Sequence, residues 1–196
     1  MRTIVILAAF ACAVLGTASE ATRASAQNAA VDCALVGTDE VGALAGTDVS
    51  PPDEETAASG ICFFAARSAS GNAVVSYAIV RPQTLAQRTA YFAVQSRLCA
   101  GVAPEAPSAA LCATYAKLAA ARGIDDYFSA RSQADTGGQA VAGLGDRAVA
   151  DDEGLFVQRG SLVLEIIVRH QDDLDLGAET KLANLLLERI PAAQAG

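Results

Sequence analysis

Residues 147–169 read RAVADDEGLFVQRGSLVLEIIVR, and the fold turns on this stretch. Arg147 to Ala150, Leu155 to Gln158 and Leu162 to Arg169 are apolar runs rich in β-branched residues. Asp151-Asp152-Glu153-Gly154 and Arg159-Gly160-Ser161 separate them as short turn sequences, which join antiparallel neighbours. The stretch therefore reads as an antiparallel meander. In its last run Leu162, Leu164, Ile166 and Val168 share one face, while Val163 and Ile167 add apolar surface to the other. That pattern suits a central strand with both faces partly covered.

Working upstream, Gly143-Leu144-Gly145-Asp146 places two glycines where the turn feeding the meander needs positive φ. It holds only Gly-x-Gly, far short of a dinucleotide fingerprint, and no Gly-Lys-Ser/Thr phosphate loop occurs in the chain. Ile61 to Ala66 and Ala73 to Val80 read as a hairpin joined through Ser68 to Asn72. Thr84 to Leu98 and Ser108 to Arg122 carry apolar residues at helical spacing, and Gly123 is a natural stop. Nearer the start, Thr38 is placed to cap a short helix that Gly46 ends, and Pro51-Pro52-Asp53-Glu54-Glu55 reads as an exposed connector. Downstream, Asp175 caps a last helix with Leu182, Leu185, Leu186 and Ile190 on one stripe, ended by Pro191. Strands and helices without βαβ alternation predict an α+β fold: an antiparallel sheet with a C-terminal meander packed against helices, as a single two-layer domain.

The chain is 196 residues long, 52% hydrophobic, with formal charge −8, no Trp and one His. That length sustains a real core in one domain. With 22 acidic against 14 basic residues there is no basic stripe for phosphates, which excludes nucleic-acid binding and disfavours anionic membrane surfaces. Met1-Arg2, the apolar run Thr3 to Gly16, and Ala24-Ser25-Ala26 before Gln27 have the order of a secretory signal peptide. The run of about 14 residues is short of the roughly 18 needed to span a bilayer, and no second run follows, so no transmembrane segment is expected. Cys12, preceded by Ala9-Phe10-Ala11, makes a poor lipobox. Residues 1–26 are thus predicted to be a signal peptide and 27–196 a single exported domain, periplasmic or secreted.

Cleavage after Ala26 removes Cys12 and leaves Cys33, Cys62, Cys99 and Cys112, an even set in an oxidising compartment. Three pairings are possible. Cys99 and Cys112 bracket a loop with Pro104 and Pro107 between two helical patterns, so a local bridge asks for little chain reach and leaves Cys33 for Cys62. Loops of about 14 and 30 residues are worth roughly 3 and 3.5 kcal/mol in the chain-entropy view. Zinc is disfavoured, because no Cys-x-x-Cys occurs and one His cannot complete the usual spacings.

His170-Gln171-Asp172-Asp173-Leu174-Asp175 together with Glu179 gathers four carboxylates and the lone imidazole, the chemistry of a hard cation or a general base. His170, Asp172, Asp173 and Asp175 are the ligand or metal candidates. The tract lacks the calcium-loop spacing, and acids before a helix also serve to cap amides. Asp151-Asp152-Glu153-Gly154 is read as a solvated turn. One His permits one Ser/His/Asp triad at most, with His170 as base, and no Gly-x-Ser-x-Gly, Ser-x-x-Lys or His-Glu-x-x-His motif accompanies it. The aromatic residues sit at core spacing, where packing is the commoner use, and Tyr127-Phe128, beside Asp125-Asp126, is the pair to test as a surface contact. No cofactor is expected.

The order Asp32-Cys33-Ala34-Leu35, a short helix ending near Ala45-Gly46, Cys62-Phe63, Gly143-Leu144-Gly145-Asp146-Arg147-Ala148, a Leu155-to-Val168 hairpin and a final Leu182-Ala183 helix resembles a group of uncharacterised exported bacterial proteins. Many of these are actinobacterial lipoproteins, similar in pattern to the extracellular sensor domains of mycobacterial serine/threonine kinases. The resemblance implies an α+β domain with a Cys33/Cys62 bridge and a ligand-binding, sensing or envelope role, with no catalytic residues to carry over. The expected function is an exported binding or sensing module of the cell envelope, without catalysis, whose partner is an envelope protein or a small molecule. The alternatives are a His170-dependent hydrolase or divalent-metal enzyme, and a structural envelope protein. Intact mass of the protein from its native host tests the premise: the first 26 residues are absent, and reduction adds two hydrogens for each bridge.

Overall fold

The structure, a computed structural model, describes residues 32–58, 60–66, 73–103, 105–106, 108–132, 138–171 and 173–191. The predicted signal segment, the Ser68–Asn72 connection, Pro104, Pro107 and Asp172 lie outside the described residues. In chain order the elements are α1 (Thr38–Ala45), α2 (Glu54–Ala58), β1 (Ile61–Ala65), β2 (Ala73–Val80), α3 (Pro82–Leu98), α4 (Ala109–Ala120), α5 (Ile124–Ser132), β3 (Gln139–Ala140), β4 (Arg147–Asp151), β5 (Gly154–Arg159), β6 (Leu162–His170), β7 (Asp173–Leu174) and α6 (Leu176–Arg189). The strands form one antiparallel sheet in the order β1-β2-β6-β5-β4-β3, and β7 pairs with the end of β6. The meander β4-β5-β6 is as the sequence implies, and β6 is central, flanked by β2 and β5.

Alternation along the strands divides the side chains into two apolar layers. Tyr77, Leu155, Leu162, Leu164, Ile166 and Val168 face α1 and α6, where Val41, Leu182 and Leu186 are buried. Phe156 and Val163 point the other way, towards Leu85 and Phe92 of α3, Leu118 of α4 and Tyr127 and Phe128 of α5. To the expected pairing of sheet and helix the structure thus adds helices on the opposite face, because the connection from β2 to β3 carries α3, α4 and α5 across it.

Covalent and ionic clamps hold the margins. Cys33 bridges Cys62, and Cys99 bridges Cys112, the pairing expected. The first ties the opening turn to β1; the second closes the α3–α4 hairpin. Asp32 and Arg81 form a buried bidentate ion pair, and the Tyr77 hydroxyl donates to the Asp32 carbonyl at 2.9 Å. The glycine-rich turn is a latch. Gly145 has φ 54°, and a Cβ there would collide with the Gln158 carbonyl oxygen. The close approach lets the Asp146 amide donate to that oxygen at 2.7 Å, while the Asp146 carboxylate accepts from the Gly160 amide at 2.6 Å.

Two local readings are corrected, and one helix is added. The cap of α1 is Gly37, with Thr38 the first helical residue, because Glu40 reaches back to accept from the Gly37 amide at 3.0 Å. Glu54 and Glu55, read as connector, begin a short exposed helix. Ile124 to Ser132, to which the sequence reading assigns no element, is a helix whose first turn carries Asp125 and Asp126, a favourable place for negative charge. Asp175 caps α6 as read, accepting from the Ala178 amide at 2.9 Å.

One buried carboxylate closes the sheet. Past the end of β5 the N–H and C=O of Val168 face a gap; the Asp175 amide fills the carbonyl, and Glu179 accepts from the amide at 3.1 Å. Burial pushes the Glu179 carboxyl up to about 7, against the opposing bond from Val168 and with Asp175 adding to the rise. The folded state therefore holds a proton that the unfolded chain releases near 4.5. The stabilisation from this group is complete below that value and lost as pH rises through about 7. Melting temperature is predicted to fall by a few degrees between pH 5 and pH 8, and Glu179→Gln to flatten that slope, as read by scanning calorimetry.

Candidate functional site

The helix-covered face of the sheet contains a row that packing alone does not explain. Antiparallel register sets Ile61 beside Ala78, Ala78 beside Glu165, Glu165 beside Phe156 and Phe156 beside Val149. The neighbouring row runs from Phe63 to Ser76 to Ile167. Small side chains at Ser76 and Ala78, flanked by larger ones, leave a hollow under α3. It is a cavity of about 270 Å³ whose apolar walls include Ile61, Ala78, Phe92, Phe156 and Ile167. Arg88 and Tyr91 of α3, Tyr115 of α4 and Arg131 of α5 complete it, with Glu153 and Glu165.

Glu165 stands in the middle of β6 and is 8% exposed. A carboxylate removed from water demands partners, and three side chains from two helices provide them. Arg88 donates through Nη2 to Oε2, the Tyr127 hydroxyl donates to Oε1 at 2.7 Å, and Arg131 Nε lies 3.4 Å from Oε1. Arg131 also donates to Glu153, at the turn between β4 and β5. Each guanidinium is stacked, Arg88 5.5 Å from the ring centroid of Phe92 and Arg131 4.4 Å from that of Phe156. The Nε–H groups of Arg88 and Arg131 are buried with no hydrogen-bond acceptor.

Burial pushes the Glu165 carboxyl up, but Arg88, Arg131 and the Tyr127 hydroxyl together outweigh it and hold the group below the ordinary glutamate value. It stays ionised at neutral pH. The Tyr127 phenol is pushed up, first by burial and then by the Glu165 charge, so it remains a donor. A buried ion cluster contributes little to stability that an apolar set of equal volume would not match. Its position on the wall of a cavity is what marks it as a site, since perturbed groups gathered at a cleft are the usual sign of function.

The residues singled out in the sequence lie elsewhere or play another part. His170, at the end of β6, falls by strand alternation on the face opposite Glu165; its Nε2 lies 3.5 Å from the Asp175 carboxylate and both side chains are about two-fifths exposed. Asp175 is already engaged in capping α6, Asp173 is exposed in β7, and Asp172 is outside the described residues. Tyr127 and Phe128, the pair considered for a surface contact, are 0% and 3% exposed and so pack instead, as the inner stripe of α5 with Ile124. Tyr127 nevertheless meets the cavity's charge cluster through its hydroxyl. Glu165, Arg88 and Arg131 escaped the sequence reading; the available signal was one acidic residue interrupting LVLEIIV, a run otherwise apolar on both faces.

A second concavity, beside Pro82, Asp125, Asp126 and Gly160, is open and wetter. Its polar groups satisfy one another: Gln158 Nε2 donates to Asp125 at 2.7 Å and Arg147 Nη2 to the same carboxylate oxygen at 3.0 Å.

Removing one member of the buried cluster leaves uncompensated charge, whereas removing all of it does not. Glu165→Ala is predicted to cost about 3–5 kcal/mol. The triple variant Arg88→Met, Arg131→Met, Glu165→Met is predicted to cost less than Glu165→Ala, both measured by urea unfolding. Among known proteins, no family model, no curated protein and no solved structure matches this chain.

Proposed function

We propose that this chain is an exported binding module, without catalysis, that takes a small ligand in the groove over Ser76 and Ala78 and serves a binding or sensing role at the cell envelope. The observation that carries the reading is the Arg88–Glu165–Arg131 cluster on the wall of an otherwise apolar cavity. A pocket with apolar walls and a few convergent polar groups is the form that small-molecule sites take. Two disulfides suit an oxidising compartment. Among the described residues no helix is long and apolar enough to cross a membrane.

Rigidity supports the same reading. The Cys99–Cys112 bridge fixes the far end of the α3–α4 hairpin, so Arg88, Tyr91 and Tyr115 present a preformed wall. Binding to a preformed wall avoids the cost of ordering it.

A thermal-shift screen with metals, lipids and cell-wall fragments tests the proposal. A ligand at 100 times its dissociation constant adds about 2.7 kcal/mol of stability. Ala78→Phe, which fills the hollow, is predicted to abolish that gain. Tyr91→Ala, at a half-exposed position on the wall, weakens it. A gain unaffected by either variant places binding away from the groove and overturns the reading.

A further inference from the structure

The chemistry of the groove narrows its occupant. Its floor brings the guanidiniums of Arg88 and Arg131 to Glu165, and Arg131 also donates to Glu153, so the four side chains are formally balanced. Glu153, the other acid at the cavity, is more exposed, with 28% of its side chain accessible, and water screens it more effectively than Glu165 at 9%. The hydroxyl of Tyr127 is turned towards Glu165 as a donor. The floor is therefore lined by guanidinium donors, with the less sheltered of its two acids at the turn between β4 and β5.

Away from the floor the surface is apolar and open. Ile61 and Ile167 are half-buried walls of the cavity, Phe63 continues the same face of β1 at 39% exposure, and Tyr91 is 50% exposed above them. From β6 to β1 is two interstrand spacings, roughly 10 Å of largely apolar sheet surface. Val94 and Leu98 extend the exposed apolar stripe of Tyr91 along α3.

We propose that the groove binds a molecule with a single anionic oxygen head and an extended apolar body, of the class of medium-chain carboxylates, its head at Arg88 and Arg131 and its body over Ala78, Ile61 and Ile167. Arg pairs carboxylates through planar paired donors, and the rings of Phe92 and Phe156 hold the two guanidiniums in place. This inference rests on the groove being the ligand site.

The test uses the exported chain with both disulfides intact, titrated with decanoate, hexanoate, decan-1-ol and decylamine below their micelle concentrations. Binding is read by calorimetry and by isoleucine-methyl NMR. Decanoate is expected to shift the Ile61 and Ile167 methyl signals and to bind at least tenfold more tightly than decan-1-ol or decylamine. It should exceed hexanoate by about fourfold for each added methylene that the groove covers. Arg88→Met, in which Glu165 keeps Arg131 and Tyr127, should remove the preference for decanoate over decan-1-ol. Equal or tighter binding of decylamine or decan-1-ol with the same methyl shifts overturns the anionic head and leaves the groove intact as a site. Failure of all four probes to move those methyls, while a screened ligand does move them, overturns the ligand class alone. Methyl shifts confined to other isoleucines overturn both the class and the groove.

Discussion

A carboxylate in the centre of a sheet that is covered on both faces has to be neutralised by its neighbours, and the rest of the architecture is organised around that demand. β6 is apolar at nearly every position between β2 and β5, and Glu165 is the exception. Its partners come from α3 and α5, which lie far apart in the chain and meet only because both cross the same face of the sheet. The helical layer is therefore set by charge as well as by packing. Arg88 and Arg131 are each fixed twice, by Glu165 and by an aromatic ring, and Tyr127 occupies the space between them with its hydroxyl engaged.

The opposite face needs no such device. There, Leu182, Ala183 and Leu186 of α6 pack on Leu155, Leu164 and Ile166, a hydrophobic contact with no directional requirement. On this side the buried Glu179 answers a backbone amide at the place where β6 exchanges β5 for β7 as its partner. The two buried glutamates are thus held in different ways. Glu165 is surrounded by cations and stays charged; Glu179, pushed up by burial and further by Asp175 against the bond from the Val168 amide, favours its proton. The margins are secured separately, by two disulfides, by Asp32 with Arg81, and by Arg189, which reaches Glu40 at 2.6 Å and so joins the last helix to the first.

Much of this was legible in the chain. The meander could be read because alternation and turn residues are local: DDEG and RGS leave no room for any connection except a hairpin. The end of α6 could be read from Pro191, and its start from Asp175, whose carboxylate does cap the helix. Helix α5 was not legible, because Asp125 and Asp126 after Gly123 resemble a solvated turn as much as a helical first turn. Without that helix its aromatic pair could not be placed on an inner stripe. Which hydroxyl or amide served as the cap of α1 also depended on a rotamer of Glu40, which a residue pattern does not contain.

The candidate site divides along the same line. The sequence by itself determined the strand that carries Glu165 and its position in the middle of the sheet, since these follow from periodicity and turn length. Only the tertiary structure decided that Arg88, 77 residues away, would meet that glutamate, and that Ser76 and Ala78 would leave space beneath α3. Periodicity reports which face a residue occupies. The identity of a buried charge's partner depends on which helices cross that face, and this is a property of the assembled chain.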